Sequence, residues 1–163
     1  EARTYALIDQ FREKVPGIAL RTSLIAGYPG ETEADHDAML RFVEKVRFDR
    51  LGIFTYSHEE NTTAYELDDD VPDEVKQERA EAVMALQQDI SEDINSKKVG
   101  QVFKVLFDRK EGDYFVGRTE FDSPEVDNEV LVSAKENYIR IGDFAQVKIT
   151  STAAFDLYGE LVG

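Results

Sequence analysis

Apolar side chains recur at helical spacing at Leu7, Ile8, Phe11 and Val15, which predicts an amphipathic helix over residues 3–14. Pro16-Gly17 stops it. The run from Ile18 to Ala26 reads as a buried strand, and the corner Gly27-Tyr28-Pro29-Gly30 ends it. Ala34, Ala38, Met39, Phe42, Val43 and Val46 form the stripe of a second helix, from about Thr32 to Arg47. Glu31, Glu33 and Asp35 at its start suit the positive end of a helix dipole. A second strand over 51–57 ends in the polar cluster His58-Glu59-Glu60-Asn61-Thr62. The order α-β-α-β with short links predicts parallel strands and right-handed crossovers. The two strands open onto one rim, where a βα-barrel presents its ligands.

Residues 58–72 are polar and irregular, and Asp68-Asp69-Asp70 reads as a solvated loop. Pro72 then introduces a long helix with the stripe Val75, Ala82, Val83, Leu86, Ile90 and Ile94. From Asp73 to Ser96 it would span about 36 Å at about 1.5 Å per residue. After Gly100 the period falls to two. Segments 102–107, 114–117, 129–132 and 145–149 read as strands, separated by turns such as Lys110-Glu111-Gly112-Asp113 and Ile141-Gly142-Asp143. Several short strands in this space predict a small OB-like β-barrel. A βα-barrel takes roughly 200 residues or more. The first part, with two strands, cannot close one alone; it is a fragment or a different small α/β layer. Three segments result: 1–72 as the last βα units of a barrel, 73–98 as a bracing helix, and 99–163 as the small barrel.

Charge narrows the possible partners. The chain carries 19 basic and 34 acidic residues, a net of −15. Residues 1–98 hold 12 basic against 22 acidic residues, a net of −10, and residues 99–163 hold 7 against 12, a net of −5. Such a surface repels phosphate backbones, so nucleic acid is an unlikely partner by charge. No apolar run approaches the roughly 18 residues of a membrane helix, and no membrane partner is expected. The chain has no cysteine, so it offers no disulfide and no cysteine ligand for zinc or an iron–sulfur cluster, and two histidines make an internal metal site improbable. The absence of cysteine fits a cytoplasmic setting. A start at Glu1-Ala2-Arg3, without Met, fits a piece of a longer protein.

Three segments resemble the radical S-adenosylmethionine methylthiotransferases: Arg21-Thr22-Ser23-Leu24-Ile25-Ala26-Gly27-Tyr28-Pro29-Gly30-Glu31-Thr32, Phe54-Thr55-Tyr56-Ser57-His58-Glu59-Glu60-Asn61-Thr62-Thr63-Ala64, and Gly117-Arg118-Thr119-Glu120-Phe121-Asp122-Ser123-Pro124-Glu125-Val126-Asp127. The first is shared by several radical S-adenosylmethionine groups. The other two resemble the RimO-type branch, which modifies a ribosomal protein, more than the tRNA-modifying branch. The resemblance implies an N-terminal domain with one [4Fe-4S] cluster, a central barrel with a second cluster that binds S-adenosylmethionine, and a C-terminal TRAM domain that recognises substrate. This chain would be the last barrel units plus TRAM, inactive alone, with no catalytic or metal-binding residue of its own. The implied reaction adds a methylthio group to the β-carbon of an aspartate in small-subunit ribosomal protein twelve. There a 5′-deoxyadenosyl radical takes hydrogen from an unactivated carbon, while protein supplies orientation and dryness.

Under that resemblance Gly27, Pro29 and Gly30 would let backbone approach S-adenosylmethionine; the plainer reading is a β-to-α turn. Arg21, six residues earlier on the same sheet face, would meet the ligand carboxylate or a barrel acid. Glu31 is a helix-start acid or a ligand contact. Tyr56 and Ser57 end the second strand, where substrate-facing groups sit; the alternative is a tyrosine capping the core. Glu59 and Glu60 are paired carboxylates for acid–base work or, since hydrogen abstraction does not demand such a pair, anchors of their loop; His58 reads as an exposed loop residue and His36 as a helix-surface one. Arg118, Asp122, Glu125 and Asp127 share one loop, a local ion pair or a docking surface for a basic ribosomal protein, whose charge an acidic face would steer. The rivals are a tRNA methylthiotransferase and a free-standing interaction module. The open parallel edge of residues 1–98 predicts self-association or poor stability there, while 99–163 is expected to fold alone.

Overall fold

The computed structural model describes residues 2–124, 127–135 and 137–162, in two compact units, Glu1–Ile90 and Ser91–Gly163. The first unit is built from α1 (Ala2–Lys14), β1 (Arg21–Ala26), α2 (Glu33–Val46), β2 (Arg50–Thr55), a 3₁₀ turn at Thr63–Glu66, and most of α3 (Asp73–Ser96). The second takes the last turn of α3 and then β3 (Val102–Glu111), β4 (Tyr114–Arg118), β5 (Glu129–Ser133), β6 (Phe144–Thr152) and β7 (Asp156–Leu161).

In the first unit β1 and β2 pair in parallel, in register from Arg21↔Arg50 to Ala26↔Thr55, and the Tyr56 N–H extends the ladder by donating to the Ala26 carbonyl at 2.8 Å. Parallel neighbours need a crossover, and α2 is that crossover. Thr32 caps α2 in a capping box: its hydroxyl accepts the Asp35 N–H, and the Asp35 carboxylate accepts the Thr32 N–H at 3.0 Å. At the other end Arg12 of α1 donates to the Val46 and Arg47 carbonyls at 2.6 and 3.2 Å, placing a cation at the negative helix terminus. Ile8, Val46 and Phe48 are buried together, with Tyr5, Leu20, Phe42 and Leu51 around them.

The strand over 18–26 is shorter than its apolar run, because Ile18–Leu20 lie outside β1, and it is not buried throughout: alternate positions are exposed, Ile25 by 51%. On β2 Phe54 is 63% exposed. The expected surface position of His36 is corrected: it is buried on the same face as Val43, one heptad on, while Ala34 of the expected stripe is exposed. The stripe of α3 is also different. Its buried positions include Lys76, Arg79, Ala80, Val83, Gln87, Ile90, Ser91 and Asn95, whereas Ala82 is exposed. The spacing is helical, but half the stripe is polar.

In the second unit five strands close a barrel in the order β3-β4-β5-β7-β6. Four of them coincide with the alternating segments in the sequence. The fifth, β7, lacks a long apolar alternation and is held by parallel pairing to β5 and antiparallel pairing to β6. Inward residues Val105, Phe107, Phe115, Val130, Val132, Ile139, Val147, Ile149 and Leu157 fill it. Closure depends on Gly159: a Cβ there would lie 2.4 Å from Val147 Cγ1 and 2.7 Å from the Lys148 carbonyl oxygen. Asn95 ties the end of α3 to this unit, donating to the Ala153 and Ala154 carbonyls at 3.2 and 2.9 Å and accepting from Asn128 at 2.9 Å.

Three outcomes follow from this packing. Gly159→Ala should lower barrel stability by about 1–3 kcal/mol through overpacking, read from urea unfolding of β6 and β7 amide resonances. Exposed Ile25 and Phe54 on a two-stranded sheet should make the chain associate with concentration; monomeric sedimentation over the whole range would refute this. The Thr32 hydroxyl, then its backbone, and weakly Arg79 hold Asp35 below the usual carboxylate range. Stability from the capping box is therefore present above the unfolded carboxylate value and lost as pH falls through the lowered one. Helical ellipticity should melt earlier between about pH 5 and pH 3, and less steeply so in Asp35→Ala.

Candidate functional site

The rim at the C-terminal ends of β1 and β2 is shaped by two loops. The first, Gly27–Thr32, turns through left-handed backbone at Gly27 (φ 74°) and Gly30 (φ 81°). At Gly27 no other residue fits, since a Cβ would sit 2.2 Å from Lys76 Cγ. Beside Gly30 nothing lies within 4 Å of that position, so this backbone faces open space. The second loop, 56–72, meets the first where the Gly30 N–H donates to Asp70 Oδ1 at 2.7 Å.

Glu31 is consumed within the chain. Its Oε2 accepts the Gly27 N–H at 3.0 Å, and its Oε1 accepts from Arg79 Nη1 at 2.9 Å. Arg79 also donates to the Glu31 carbonyl at 3.1 Å and to Glu33 at 2.7 Å. Both Glu31 and Arg79 side chains are buried, while Glu33 is exposed. The hydrogen bond to Arg79, then its charge, holds the Glu33 carboxyl below its ordinary range. Lys76, also buried, pairs with Asp69 at 2.8 Å and Asp73 at 3.1 Å, and its hydrogen bond to Asp69 raises its pKa against the opposing effect of burial.

Tyr56 is buried, with its hydroxyl 3.2 Å from His58 Nδ1 and donating to the Ala64 carbonyl at 3.3 Å. Burial first, then the Asp69 charge, pushes its phenol up, so it stays protonated at neutral pH. Tyr28 packs edge-on against it with ring centroids 5.5 Å apart, and the His58 ring lies tilted against Tyr65 with centroids 4.5 Å apart. Ser57 donates to Glu59 at 2.6 Å, a contact within its own loop.

The structure thus brings Gly27, Pro29, Gly30, Glu31, Tyr56 and Ser57 to one rim. Arg21 is elsewhere, at the start of β1, about 20 Å from Gly27 at about 3.3 Å per residue. Lys76 and Arg79, which hold the rim, escape a search of apolar residues alone. Their signal is spacing: 76, 79, 83, 87 and 90 fall on one helix face.

On the small barrel a cleft of ≈ 250 Å³ is lined by Asp108, Arg109, Gly117, Arg118, Asn128 and Glu129, among others. A register shift between Phe107 and Arg109 sets Asp108 where Arg118 reaches it at 2.9 Å. Arg109 bridges Glu111 and Glu129 at 3.0 and 2.8 Å. Glu129 stands opposite Asp156, whose carboxyl is raised by burial and then by the Glu129 charge. Asp122 is buried and accepts the Thr119 hydroxyl at 2.5 Å, and Asp127 accepts the Ser123 N–H at 2.7 Å. Both therefore shape the loop that was expected to present them, and Glu125 lies outside the described residues. Among the described residues no group of three or more His, Cys, Asp or Glu is placed to hold a metal ion.

Residues 99–162 match the TRAM domain. The chain is 61% identical over 98% of its length to a protein of Cytophaga hutchinsonii named ribosomal protein uS12 methylthiotransferase RimO. Proteins of the same name from Flavobacterium johnsoniae and Phocaeicola vulgatus are 58% and 55% identical over 98% and 99% of it. These matches cover 37%, 37% and 38% of the relatives. Among solved structures, an apo form of Mycoplasma genitalium RNase R overlaps 63% of this chain and 21% of its own, at 15% identity and a TM-score of 0.33. The chain spans little more than a third of these relatives' length, and over nearly all of its own length it is similar to proteins named ribosomal protein uS12 methylthiotransferase RimO, with a TRAM domain at residues 99–162.

Proposed function

We propose that this chain is the C-terminal part of a radical S-adenosylmethionine methylthiotransferase that modifies an aspartate of ribosomal protein uS12. Residues 1–72 would be the last βα units of its catalytic barrel, 73–98 a bracing helix, and 99–163 the substrate-recognising TRAM domain. The 61% identity to a relative of that name, across nearly the whole chain, carries this reading.

S-adenosylmethionine, when bound, would supply radical and methyl chemistry together with the iron–sulfur clusters. The chain contains no cysteine, so the thiolates of both clusters would come from other parts of the longer protein. The rim does suit one wall of an S-adenosylmethionine pocket. Gly30 leaves open space beside its backbone, Tyr28 is 43% exposed, and Pro29 stiffens the corner between them. Tyr56 and Ser57, at the start of the loop after β2, would line the same space. Glu31 would act through the Gly27 N–H that it holds rather than by touching the ligand. These residues orient the ligand and exclude water, which strengthens every electrostatic contact inside.

A net of −5 on residues 99–163 favours a basic partner over nucleic acid. Asp108 and Glu129, partly exposed beside the two arginines, would set the register of a basic ribosomal protein on the small barrel. Binding of this chain to purified uS12, with bulk tRNA as competitor, tests the reading. The expected result is saturable binding that weakens severalfold between about 50 and 200 mM salt and resists tRNA. Displacement by tRNA would overturn it in favour of a tRNA substrate.

A further inference from the structure

Two buried cations on α3 stand behind the rim without facing it. Arg79 spans the acids on either side of Thr32, and through Glu31 it fixes the amide of Gly27. The sequence of contacts is continuous: Arg79 Nη1 to Glu31 Oε1 at 2.9 Å, then Glu31 Oε2 to the Gly27 N–H at 3.0 Å. One carboxylate therefore uses both oxygens to connect a helix to a left-handed corner. The Lys76 stem fills the space beside Gly27, and its ammonium, 5.5 Å from the Tyr56 ring centroid, holds the second loop at Asp69.

Each component is costly unless the others are present. An arginine this deeply buried needs its carboxylates, and a buried carboxylate needs its cation. A corner with φ of +74° needs its amide satisfied, because nothing in the regular ladder holds it. We infer that Arg79 and Glu31 are positioning residues of the rim, setting the Gly27–Gly30 backbone for an S-adenosylmethionine ligand that neither of them touches. Lys76 serves as the wall against which that backbone is set. The ligand's identity rests on the function proposed above; the clamp rests on the geometry alone.

Glu31→Gln separates the two contacts. Its amide oxygen still accepts from Arg79, while its NH₂ meets the Gly27 N–H donor to donor. Arg79→Lys keeps the charge and loses the fork that reaches two acids. In this chain, amide hydrogen exchange at 27–31 should quicken about tenfold in Glu31→Gln, with β1 and β2 amides unchanged. In the longer protein with its clusters intact, the S-adenosylmethionine Kd and KM should rise about tenfold in both variants while kcat stays within about threefold. The double variant should match Arg79→Lys within about twofold, because both changes cut one connection.

Unchanged exchange at Gly27 would refute the clamp. Faster exchange with a Kd within about twofold of wild type would refute its role toward the ligand. Wild-type protein that fails to bind S-adenosylmethionine would overturn the functional reading and the ligand role with it, while the exchange arm would still decide the clamp.

Discussion

A buried cation with a two-carboxylate answer is the constraint on which the first unit is organised. Arg79 is buried on the inward face of its helix, so its charge must be met from other elements. Glu31 and Glu33 meet it from the loop after β1 and the first turn of α2. That requirement fixes where the chain leaves β1 and how it enters α2. It also explains why the corner is glycine: Lys76, one turn before Arg79 on the same face, occupies the space a side chain would need. The capping box then starts α2 within the same few residues. Removing the acid would leave a buried cation unpaired, and removing the cation would leave a buried carboxylate, so the segment holds together as a set.

The same physics shows what was legible in the sequence. Helix limits were readable because their signals are local. Pro72 before Asp73, and Thr32 followed three residues later by Asp35, mark starts that need no tertiary context. The rim was readable because Gly-Tyr-Pro-Gly at the end of an apolar run has few structural meanings. The α3 stripe was not, since Lys76, Arg79, Gln87 and Asn95 read as solvent-facing until their partners are known. Those partners lie tens of residues away, as with Gln87 donating to the Phe48 carbonyl at 2.9 Å. His36 differs from expectation for the same reason, a polar side chain buried by its tertiary surroundings. Arg21 shares the sheet parity of Gly27, but parity says nothing about distance along a strand.

The barrel repeats the lesson in another form. Its inward residues follow a period of two, and four strands could be read from it. β7 could not, because its place depends on pairing with both β5 and β6 around Gly159, where the ring has no room for a side chain. Asp122 carries a charge in sequence yet is buried in structure, held by the Thr119 hydroxyl. A count of acids therefore overstates what the loop offers a partner. What remains partly exposed at the cleft is Asp108 and Glu129 paired with Arg118 and Arg109, a surface whose charges balance and whose pattern is mixed. Mixed patterns of this kind favour register and partner choice over raw affinity.

The rim carries one further electrostatic consequence. Glu31, Glu33, Asp69 and Asp73 pair with Arg79 and Lys76, and Asp70 holds the Gly30 amide, so acids outnumber cations along both loops. Pairing consumes the cations without neutralising the group, and several acids remain exposed to water. The field at the rim is therefore negative, though no carboxylate needs to enter the space beside Gly30. On the proposed reading this suits a ligand with a sulfonium centre, because a fixed negative background favours a cation while leaving its reactive bonds clear of bases. Ion pairs placed behind the backbone thus do two jobs at once. They hold a left-handed corner in one shape, and their surplus charge sets the sign of the space in front of it.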